Sequence, residues 1–416
     1  MIKKVLHLNT SDTGGAAVAA SRIIKSTIIE GIESELWVNK KETELSFVRT
    51  HSSKKDKLRA QIATKIACQV RKIIKTENPL ISSAALFPSS WIKKINNSDF
   101  ELVNLHWFQD EMISINDITK IQKPICLTLH DMWAFCGLEQ YTTDFRWRDG
   151  YTKENRPASE GRFDINRFIW AHKLRTWKEK FNIICPSNWL YKSAKESVLF
   201  KNFPISRIPY PIDTDMWKPR SDLALRERLG IKKDIFLMLI CGTNLIEDKR
   251  KGIDLLEKAL SNVSLPSDKV AIGFLGCDSF PKNYKFSGLN TFPLGRYSNP
   301  DDLIDAYNSC DLMIVPSRQD NYPNVVLEAQ ACGVPVIAFD IGGMPDMIKN
   351  NENGYLVKPF DTAELGSRVV SYVNSSLEKK NKFSEMSRKR ILSENKNSII
   401  SSDYINLYNS IINKNV

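Results

Sequence analysis

The sequence lacks several features that define large classes of protein. It has no run approaching the roughly 20 uninterrupted apolar residues that span a bilayer. Its eight cysteines form no Cys-x-x-Cys pair and show no metal-ligand spacing. The Gly-x-Gly-x-x-Gly fingerprint is also missing, and no acidic residue ends the second predicted strand. These absences argue against a membrane-spanning protein, a zinc module and a nicotinamide-dependent dehydrogenase.

The charge balance is basic, with 59 Lys and Arg against 48 Asp and Glu and a net charge of +11 at pH 7. This excess favours anionic partners such as nucleotide diphosphates or acidic lipid headgroups, although solubility alone would also explain it. The basic residues are spread along the chain and form no recognisable nucleic-acid motif, so no nucleic-acid partner is expected. The scattered cysteines predict buried free thiols in a reducing cytoplasm.

The 416 residues are enough for two domains. Short apolar runs alternate with longer helix-like stretches, which predicts parallel sheets with crossover helices. Two series of similar size therefore indicate two facing Rossmann-like α/β domains. The strand candidates are Val5–Asn9, Ser34–Asn39, Leu102–Trp107, Ile125–His130, Ile183–Ser187 and Ser206–Pro209 in the first half, then Ile235–Gly242, Val270–Gly276, Thr291–Gly295, Leu312–Ser317, Pro335–Asp340 and Gly354–Lys358.

The domain boundary is expected in the hinge Pro209–Pro219, which carries three prolines and no long apolar run. This divides the chain into residues 1–213, residues 214–397 and a tail, 398–416. Apolar residues in Ser398–Asn415 recur with a helical period, which predicts a terminal helix with one apolar face. The first nine residues turn polar too quickly for a secretory signal and predict a strand instead.

The segment Lys54–Lys75 interleaves basic and apolar residues at helical spacing. Such a helix could lie on an anionic membrane surface. It could equally be an ordinary surface helix whose apolar side faces the core and whose basic side is solvated. The sequence leaves both interpretations open.

Two motifs in the first half follow predicted strands. The turn Gly14-Gly15 leads from the first strand into a helix, and such a turn lets a ligand approach closely, although a plain tight turn looks the same. His130 and Asp131 end another strand, where ligands of open α/β sheets bind. The aromatic-rich stretch that begins at Trp133 suits either a sugar platform or the packing of a large loop.

Two motifs in the second half could hold an anionic ligand. Arg250 and Lys251 lie beside Gly252 at the start of a helix, where paired cations conflict with the helix dipole and a bound diphosphate would relieve that conflict. Ser317–Gly333 has the pattern strand, polar loop, helix, glycine cap, strand, with Asn324 as N-cap and Gly333 as the C-terminal glycine. The loop would direct Asp320 and Glu328 to one place.

These motifs, together with Thr128–Asp131, Pro186–Leu190, Ile208–Asp213 and the double glycine Gly342-Gly343, resemble family 4 retaining glycosyltransferases of the GT-B fold. The likeness covers nearly the whole chain in order, and its nearest counterparts assemble bacterial surface polysaccharides such as O-antigen. The resemblance implies facing acceptor-binding and nucleotide-sugar-binding domains with a cleft between them. The C-terminal helix would return to the N-terminal domain.

The resemblance also implies roles for single residues. His130, Asp320 and Lys251 would be catalytic. Acceptor binding would involve Gly14, Asp131 and Trp133. The donor site would comprise Gly15, Arg250, Lys251, Asp320, Asn321, Tyr322, Asn324, Val325 and Glu328, in which Glu328 binds the ribose hydroxyls and Lys251 the diphosphate.

The sequence departs from the family at several places. Asp320 stands where the family has a glutamate, which shortens the reach to the sugar. Tyr210-Pro211 replaces the usual Asn-Gly of the hinge motif. The usual basic partner upstream of the lysine is missing, and Arg250 is our candidate substitute. Only Cys136 occurs where relatives carry a cysteine cluster, so no metal is expected.

The expected activity is retaining, metal-independent hexosyl transfer from a nucleotide-diphosphate sugar, which serves as co-substrate without a further cofactor. The acceptor would be a glycan carried on undecaprenyl diphosphate, so we expect a cytoplasmic protein, peripheral on the inner face of the cytoplasmic membrane. The alternatives are a nucleotide-sugar epimerase of the same fold and a non-catalytic nucleotide-sugar-binding protein. Analysis of the reaction products distinguishes these three functions.

Overall fold

A computed structural model describes residues 1–74, 76, 78, 80–158, 160–161, 163–178, 181–221, 224–278, 284, 286, 288–297 and 299–414. Lys75 and Asn415, the ends of two segments considered above, lie outside these residues. The chain divides into two compact units, Met1–Pro211 with Ser398–Val416 and Ile212–Asn397. The change of unit after Pro211 falls inside the proline-rich hinge, two residues before the position expected from the sequence.

The first unit is built on a seven-stranded parallel sheet with the order β3-β2-β1-β4-β5-β6-β7. Its strands are β1 Lys4–Leu8, β2 Glu33–Val38, β3 Val48–Thr50, β4 Leu102–Leu105, β5 Ile125–Thr128, β6 Asn182–Cys185 and β7 Ile205–Arg207. Every residue of β4 and β5 is buried, as expected for central parallel strands. Sequence reasoning missed only β3, which has three residues and too little alternation to be recognised.

The helices of the first unit are α1 Gly15–Ile29, α2 Lys54–Ile73, α3 Trp91–Asn96, α4 Ile115–Ile118, α5 Arg146–Asp149, α6 Ile165–Thr176, α7 Asn188–Glu196 and the C-terminal α15 Asn397–Lys414. The last helix packs within this unit, where Tyr404 and Tyr408 are fully buried. The Tyr408 hydroxyl accepts a hydrogen bond from the side chain of Asn104 on β4, at 2.8 Å. This contact joins residues 304 positions apart in sequence.

The aromatic stretch after β5 belongs to the core of the first unit. Trp133 is 1% exposed and packs edge-on against Phe108 and Trp177. Its indole N–H donates to the carbonyl of Ser83. The prediction that Trp133 contacts an acceptor is therefore wrong, because the side chain fills the interior. The packing interpretation of this stretch is the correct one for Trp133.

A buried lysine holds the same loop in place. The Lys173 ammonium donates to the carbonyls of Trp133, Cys136 and Gly137 at 2.5, 3.1 and 2.8 Å, and it lies 3.6 Å from the centre of the Trp133 ring. Burial lowers the pKa of Lys173 to about 7. Three carbonyls around one ammonium satisfy backbone groups that the irregular loop leaves without a ladder partner.

The second unit has a six-stranded parallel sheet with the order β10-β9-β8-β11-β12-β13. Its strands are β8 Phe236–Cys241, β9 Val270–Leu275, β10 Asn290–Gly295, β11 Leu312–Val315, β12 Val336–Phe339 and β13 Gly354–Val357. Its helices are α8 Ala224–Arg228, α9 Ile253–Ser261, α10 Pro300–Asn308, α11 Asn324–Ala331, α12 Met344–Met347, α13 Thr362–Val373 and α14 Leu377–Glu394. Two all-parallel sheets confirm the predicted α/β class with two Rossmann-like units.

The eight cysteines are all free thiols, and Cys68 on α2 is the one whose residue is exposed. Of the helices in the described part of the chain, none has the length and apolarity needed to cross a membrane.

Candidate functional site

In the second unit, the loops that follow β8, β9, β11 and β12 approach one another so closely that several positions admit only glycine. A Cβ atom on Gly252 would lie 1.9 Å from the carbonyl oxygen of Pro316, and one on Gly342 would lie 1.9 Å from that of Asp320. Both glycines have positive φ, at 71° and 53°. Because glycine has no side chain, the segments around Gly252 and Gly342 can pack directly against the backbone of the loop that carries Asp320.

The Asp320 carboxylate accepts hydrogen bonds from two basic side chains. Its Oδ2 atom lies 3.1 Å from the Lys251 ammonium and 3.4 Å from the Arg250 guanidinium. Arg250 also pairs with Asp248 at 2.9 Å and donates to the carbonyl of Gln319. The structure thus places Arg250, Lys251 and Asp320 together, and carboxylates hold the two cations that the sequence predicted for a diphosphate.

The electrostatics of the cluster keep Asp320 ionised. Burial alone would raise the pKa of its carboxyl, but Lys251 and Arg250 hold that pKa below its usual value. An ammonium has three N–H donors, and a carboxylate accepts at two oxygens. The cluster can therefore bind an incoming anion at the cations and hydroxyl groups at the carboxylate.

Arg318 joins the loop after β11 to the segment before α9. Its backbone N–H donates to the carbonyl of Arg250 at 2.7 Å, and its guanidinium forms a bidentate pair with Asp254 at 2.6 and 2.7 Å. A third bond reaches the carbonyl of Lys249. Sequence reasoning missed this link, which fixes Arg250 and Lys251 relative to Asp320.

The helix α11 starts one residue earlier than the capping prediction requires. Pro323 occupies the N-cap position in extended geometry and forms no side-chain cap, while Asn324 is the first helical residue. The predicted N-cap role of Asn324 is therefore wrong, because the fixed φ of proline already sets the entry into the helix. At the other end Gly333, with φ 78°, donates to the carbonyl of Gln330 and terminates the helix as predicted.

Glu328 points from α11 toward two residues of neighbouring elements. Its Oε2 atom accepts from the Tyr307 hydroxyl at 2.7 Å, and that hydroxyl lies 3.6 Å from the Cys241 sulfur at the end of β8. Burial, then Cys241 and Glu328, raise the pKa of Tyr307 well above its usual value, so the hydroxyl remains a donor. Sequence reasoning did not identify Tyr307, because nothing in α10 signals its distant partner.

The other predicted donor residues lie around the start of α11. Asn321 and Tyr322 are buried, and the Tyr322 hydroxyl accepts from Asn395 at 3.0 Å. Asn324 and Val325 are half-buried at the first turn of the helix. The structure therefore gathers these four residues beside Asp320 and Glu328, while their contact with a donor stays a prediction.

In the first unit, Gly14 and Gly15 form the entry to α1. Gly14 has φ 94° and Gly15 is the first helical residue. A Cβ atom at either position would have no heavy atom within 4 Å, so both glycines border open space. The turn therefore leaves space for a ligand, and the binding roles of Gly14 and Gly15 stay predictions.

Three histidines and a tyrosine form a hydrogen-bonded chain in the first unit, in which His7, His106 and Tyr210 are buried and His130 is half-buried. His7 Nδ1 lies 3.0 Å from His106 Nε2, and His106 Nδ1 lies 3.0 Å from His130 Nε2. His130 Nδ1 lies 2.6 Å from the Tyr210 hydroxyl. Burial lowers the pKa of His7 and of His130 to about 3, and it holds the pKa of His106 well below its usual value.

The hydrogen bonds among these histidines change what is expected of His130. A neutral imidazole has one donor and one acceptor nitrogen, so the tautomers of all three rings are linked. His7 Nε2 has no hydrogen-bond partner within the described residues, and it ends the chain. Since both His130 nitrogens already have partners, direct donation to a donor sugar would require one of these bonds to break. Tyr210, at the position where the sequence departs from the family that it resembles, uses one of them.

Asp131 organises the loop after β5. Its carboxylate accepts from the backbone N–H of Trp133 at 2.9 Å, the indole of Trp107 at 3.1 Å and the amide of Gln109 at 3.3 Å. Burial raises the pKa of Asp131 to about 6. These contacts hold the loop, and acceptor binding by Asp131 stays a prediction. The described residues contain no group of three or more potential metal ligands.

Residues 228–390 match the family described as "Glycosyl transferases group 1". This segment contains the Arg250–Lys251–Asp320 cluster and Glu328. Among curated proteins, the chain is 29% identical over 175 residues to the D-inositol 3-phosphate glycosyltransferase of Geodermatophilus obscurus, which covers 39% of this chain and 38% of that protein. The chain thus spans well under half the length of that curated relative.

Solved structures cover the whole chain. Sucrose-phosphate synthase from Thermosynechococcus elongatus has a TM-score of 0.69 at 14% identity, covering 99% of this chain and all of that one. Anabaena HepE, solved in complex with UDP and glucose, has a TM-score of 0.61 at 16% identity over 99% of this chain and all of that one. These similarities show that each of the two units has the parallel-sheet, Rossmann-like fold found in GT-B structures. They show nothing finer than the fold.

The first prediction concerns the close approach at Gly342. Gly342→Ala should lower the free energy of unfolding by at least about 2 kcal/mol, because the new methyl group would collide with the Asp320 carbonyl at a strained φ. Chemical unfolding monitored by circular dichroism would measure this. Gly15→Ala, at an unobstructed helix start, is the control and should change stability by less than about 0.5 kcal/mol. Equal stability of the two variants would contradict the described loop packing.

A second prediction concerns the histidine chain. The unfolded chain binds a proton on His7 near its ordinary pKa of 6.5, whereas the folded protein does so only near 3. Stability due to neutral His7 is therefore lost as the pH falls from about 6.5 toward 3, by up to about 1.4 kcal/mol per pH unit. His7→Asn keeps a polar group near Nδ1 and should reduce the pH slope by that amount.

Urea unfolding at several pH values between 5 and 7, followed by tryptophan fluorescence, would measure the two slopes. Comparing wild type with variant is necessary because burial also raises the pKa of Glu139 to about 7 and that of Asp131 to about 6. Those carboxyls act in the opposite direction and cancel in the difference. Identical slopes would mean that His7 is not buried in neutral form.

Proposed function

We propose that this protein is a retaining, metal-independent glycosyltransferase that transfers a sugar from a nucleotide diphosphate to an acceptor hydroxyl. The observation that supports the proposal is the cluster of Lys251, Arg250 and Asp320 beside Glu328, within the segment that matches group 1 glycosyl transferases. The cluster combines cations for a diphosphate with carboxylates for hydroxyl groups. These are the two chemical parts of a nucleotide-sugar donor.

The donor is proposed to bind with its ribose at Glu328 and its diphosphate at Lys251 and Arg250. Tyr307 holds one oxygen of Glu328 at 2.7 Å and so limits how the carboxylate turns toward a ribose diol. Binding of the diphosphate would draw the Lys251 ammonium from Asp320. The Asp320 carboxylate would then accept hydrogen bonds from the hydroxyl groups of the donor sugar. The diphosphate and the sugar would thus replace the ion pair between Lys251 and Asp320 together.

The proposed reaction proceeds on one face of the sugar. The bond between the anomeric carbon and the β-phosphate oxygen breaks through an oxocarbenium-like state, and the acceptor oxygen bonds to the same face. The departing β-phosphate takes the acceptor proton, so atoms and charge balance. Lys251, Arg250 and the N–H groups at the start of α11 stabilise the charge that develops on the diphosphate. No side chain needs to form a covalent intermediate.

The proposed acceptor is a glycan carried on undecaprenyl diphosphate, in the assembly of a bacterial surface polysaccharide. Acceptors of this kind are embedded in a bilayer, so the protein would work at the inner face of the cytoplasmic membrane. The names of the curated relatives favour a second acceptor, an inositol 3-phosphate. Both acceptors carry phosphate, and they differ in that only one is a lipid.

A donor screen tests the proposed class of reaction. Purified protein would be incubated with single nucleotide-diphosphate sugars, first alone and then with undecaprenyl-diphosphate-linked glycans or with inositol 3-phosphate, and the products weighed by mass spectrometry. Transfer to one acceptor names both substrates. A changed sugar nucleotide without any acceptor would identify an epimerase instead, and tight binding with no product from any pair would indicate a binding protein.

A third prediction tests the site assignment. Lys251→Ala and Glu328→Ala should each lower turnover by roughly 100-fold or more, because each removes a charged side chain that is proposed to bind the donor. Lys258→Ala on the exposed side of α9 and Glu378→Ala on α14 are matched controls that should leave turnover unchanged. Near-wild-type rates in Lys251→Ala and Glu328→Ala would exclude this cluster as the donor site.

A further inference from the structure

One helix of the first unit exposes a continuous apolar stripe. Along α2, a leucine, two isoleucines and a valine recur every four residues, which places them on one side of the helix. Their exposures are 57% for Leu58, 49% for Ile62, 41% for Ile66 and 36% for Val70. Single exposed apolar residues are ordinary, but four in register on one helix indicate an interaction surface. We call these four residues the α2 stripe.

The opposite side of α2 holds the helix to the unit with small and polar side chains. Ala63 and Ala67 are buried, and the Thr64 hydroxyl donates to the carbonyl of Asp110 at 3.1 Å. Ion pairs join Arg71 to Asp110 at 3.0 Å and Asp56 to Lys94 at 2.9 Å. The apolar side of the helix therefore does not face the core, which rules out the ordinary surface-helix interpretation of this segment.

The exposed side of α2 is also strongly basic. The helix contains seven basic residues and one acidic residue, Asp56, which is paired with Lys94. Six of the basic residues are exposed, and these are Lys54, Lys55, Lys57, Arg59, Lys65 and Lys72. Several of them lie between or beside the stripe residues on the helix surface. A partner must therefore accept hydrocarbon and neutralise positive charge over the same area.

We propose that α2 docks on the surface of an anionic lipid bilayer. The helix axis lies parallel to the membrane, the α2 stripe enters the boundary between headgroups and acyl chains to a depth of about 5–10 Å, and the lysines reach the lipid phosphates. A second copy of this chain is a poor occupant, because pairing two α2 faces would bring like charges together. An anionic bilayer satisfies both requirements without conflict.

The position of α2 gives the docking a consequence for the proposed function. The ion pair with Asp110 fixes the helix close to the segment that leaves the carboxyl end of β4, the side of the sheet on which ligands of such folds bind. If the proposed transfer is correct, a docked helix would bring this side of the first unit near lipid-carried acceptors. The docking itself rests on the surface of α2 and not on that reaction.

Vesicle sedimentation tests the proposal with the intact protein. We expect it to pellet with vesicles of phosphatidylglycerol and phosphatidylcholine, to stay in solution with pure phosphatidylcholine, and to be released by high salt. Ile62→Glu combined with Ile66→Glu should weaken vesicle binding by about tenfold or more, as should Lys65→Glu combined with Lys72→Glu. Circular dichroism checks that each variant is folded.

Matched controls carry the same changes elsewhere. Leu377→Glu with Leu392→Glu alters two apolar residues of α14 that are 72% and 40% exposed, and Lys192→Glu with Lys195→Glu alters two exposed lysines of α7. Both controls should bind vesicles like wild type. Equal loss of binding in the controls would mean that overall charge attracts the protein, and unchanged binding in the α2 variants would overturn the proposed face.

A single thiol within the α2 stripe supplies a local measurement. Cys68 is the exposed cysteine of the eight but lies two residues from Ile66 and Val70, which places it on another side of α2, so it is replaced by Cys68→Ser and the thiol is introduced by Ile66→Cys. An environment-sensitive fluorophore on this introduced thiol should shift to the blue and brighten with anionic vesicles. No shift during sedimentation would show that another surface binds. A dimer without vesicles that Ile62→Glu with Ile66→Glu makes monomeric would show that a second copy covers the face. Either result overturns the proposal, and neither bears on sugar transfer.

Discussion

The pairing of Asp320 with Lys251 and Arg250 is the interaction on which the architecture of the second unit depends most directly. Two cations at adjacent positions repel each other, and a nearby carboxylate offsets that repulsion. Their meeting requires the loop after β11 to cross the segment before α9, which explains why Gly252 and Gly342 lie against backbone carbonyls. The glycines, the link through Arg318 and the ion pairs thus serve one requirement, which is to hold opposite charges in a fixed geometry.

Sequence reasoning found what is encoded locally. Strand positions follow from short apolar runs, and Gly333 follows from its place after a helix, so both were predicted to within a residue or two. Arg250 was identified because two adjacent cations at a helix start need an explanation. Tyr307 and Arg318 escaped notice because their roles arise from partners many positions away, Glu328 and Asp254. No local pattern distinguishes such a residue from an ordinary tyrosine or arginine.

In the first unit, sequence reasoning made the opposite error, because it gave a binding role to Trp133, whose side chain the structure buries. The aromatic stretch around Trp133 has poor periodicity, and an irregular loop that folds into the core has the same pattern as one that forms a binding platform. What separates them is the buried Lys173, whose three carbonyl partners allow the loop to leave the surface. His130 was placed correctly at the end of its strand. Its two hydrogen bonds, to His106 and Tyr210, could not be foreseen because the partners come from other strands and from the hinge.

The α2 helix differs from most of the fold in the side on which its larger apolar residues lie. Elsewhere most apolar side chains of strands and helices face a core, whereas on α2 the core side carries alanines and ion pairs and four larger apolar residues in register face outward. Exposed leucine and isoleucine side chains cost free energy in water, roughly 25 cal/mol for each Å² that a partner would otherwise cover. Residues of alanine size at these positions would avoid that cost, since the anchoring contacts lie on the other side. The arrangement is therefore understandable if a partner covers the stripe, and the lysines beside it require that partner to be anionic.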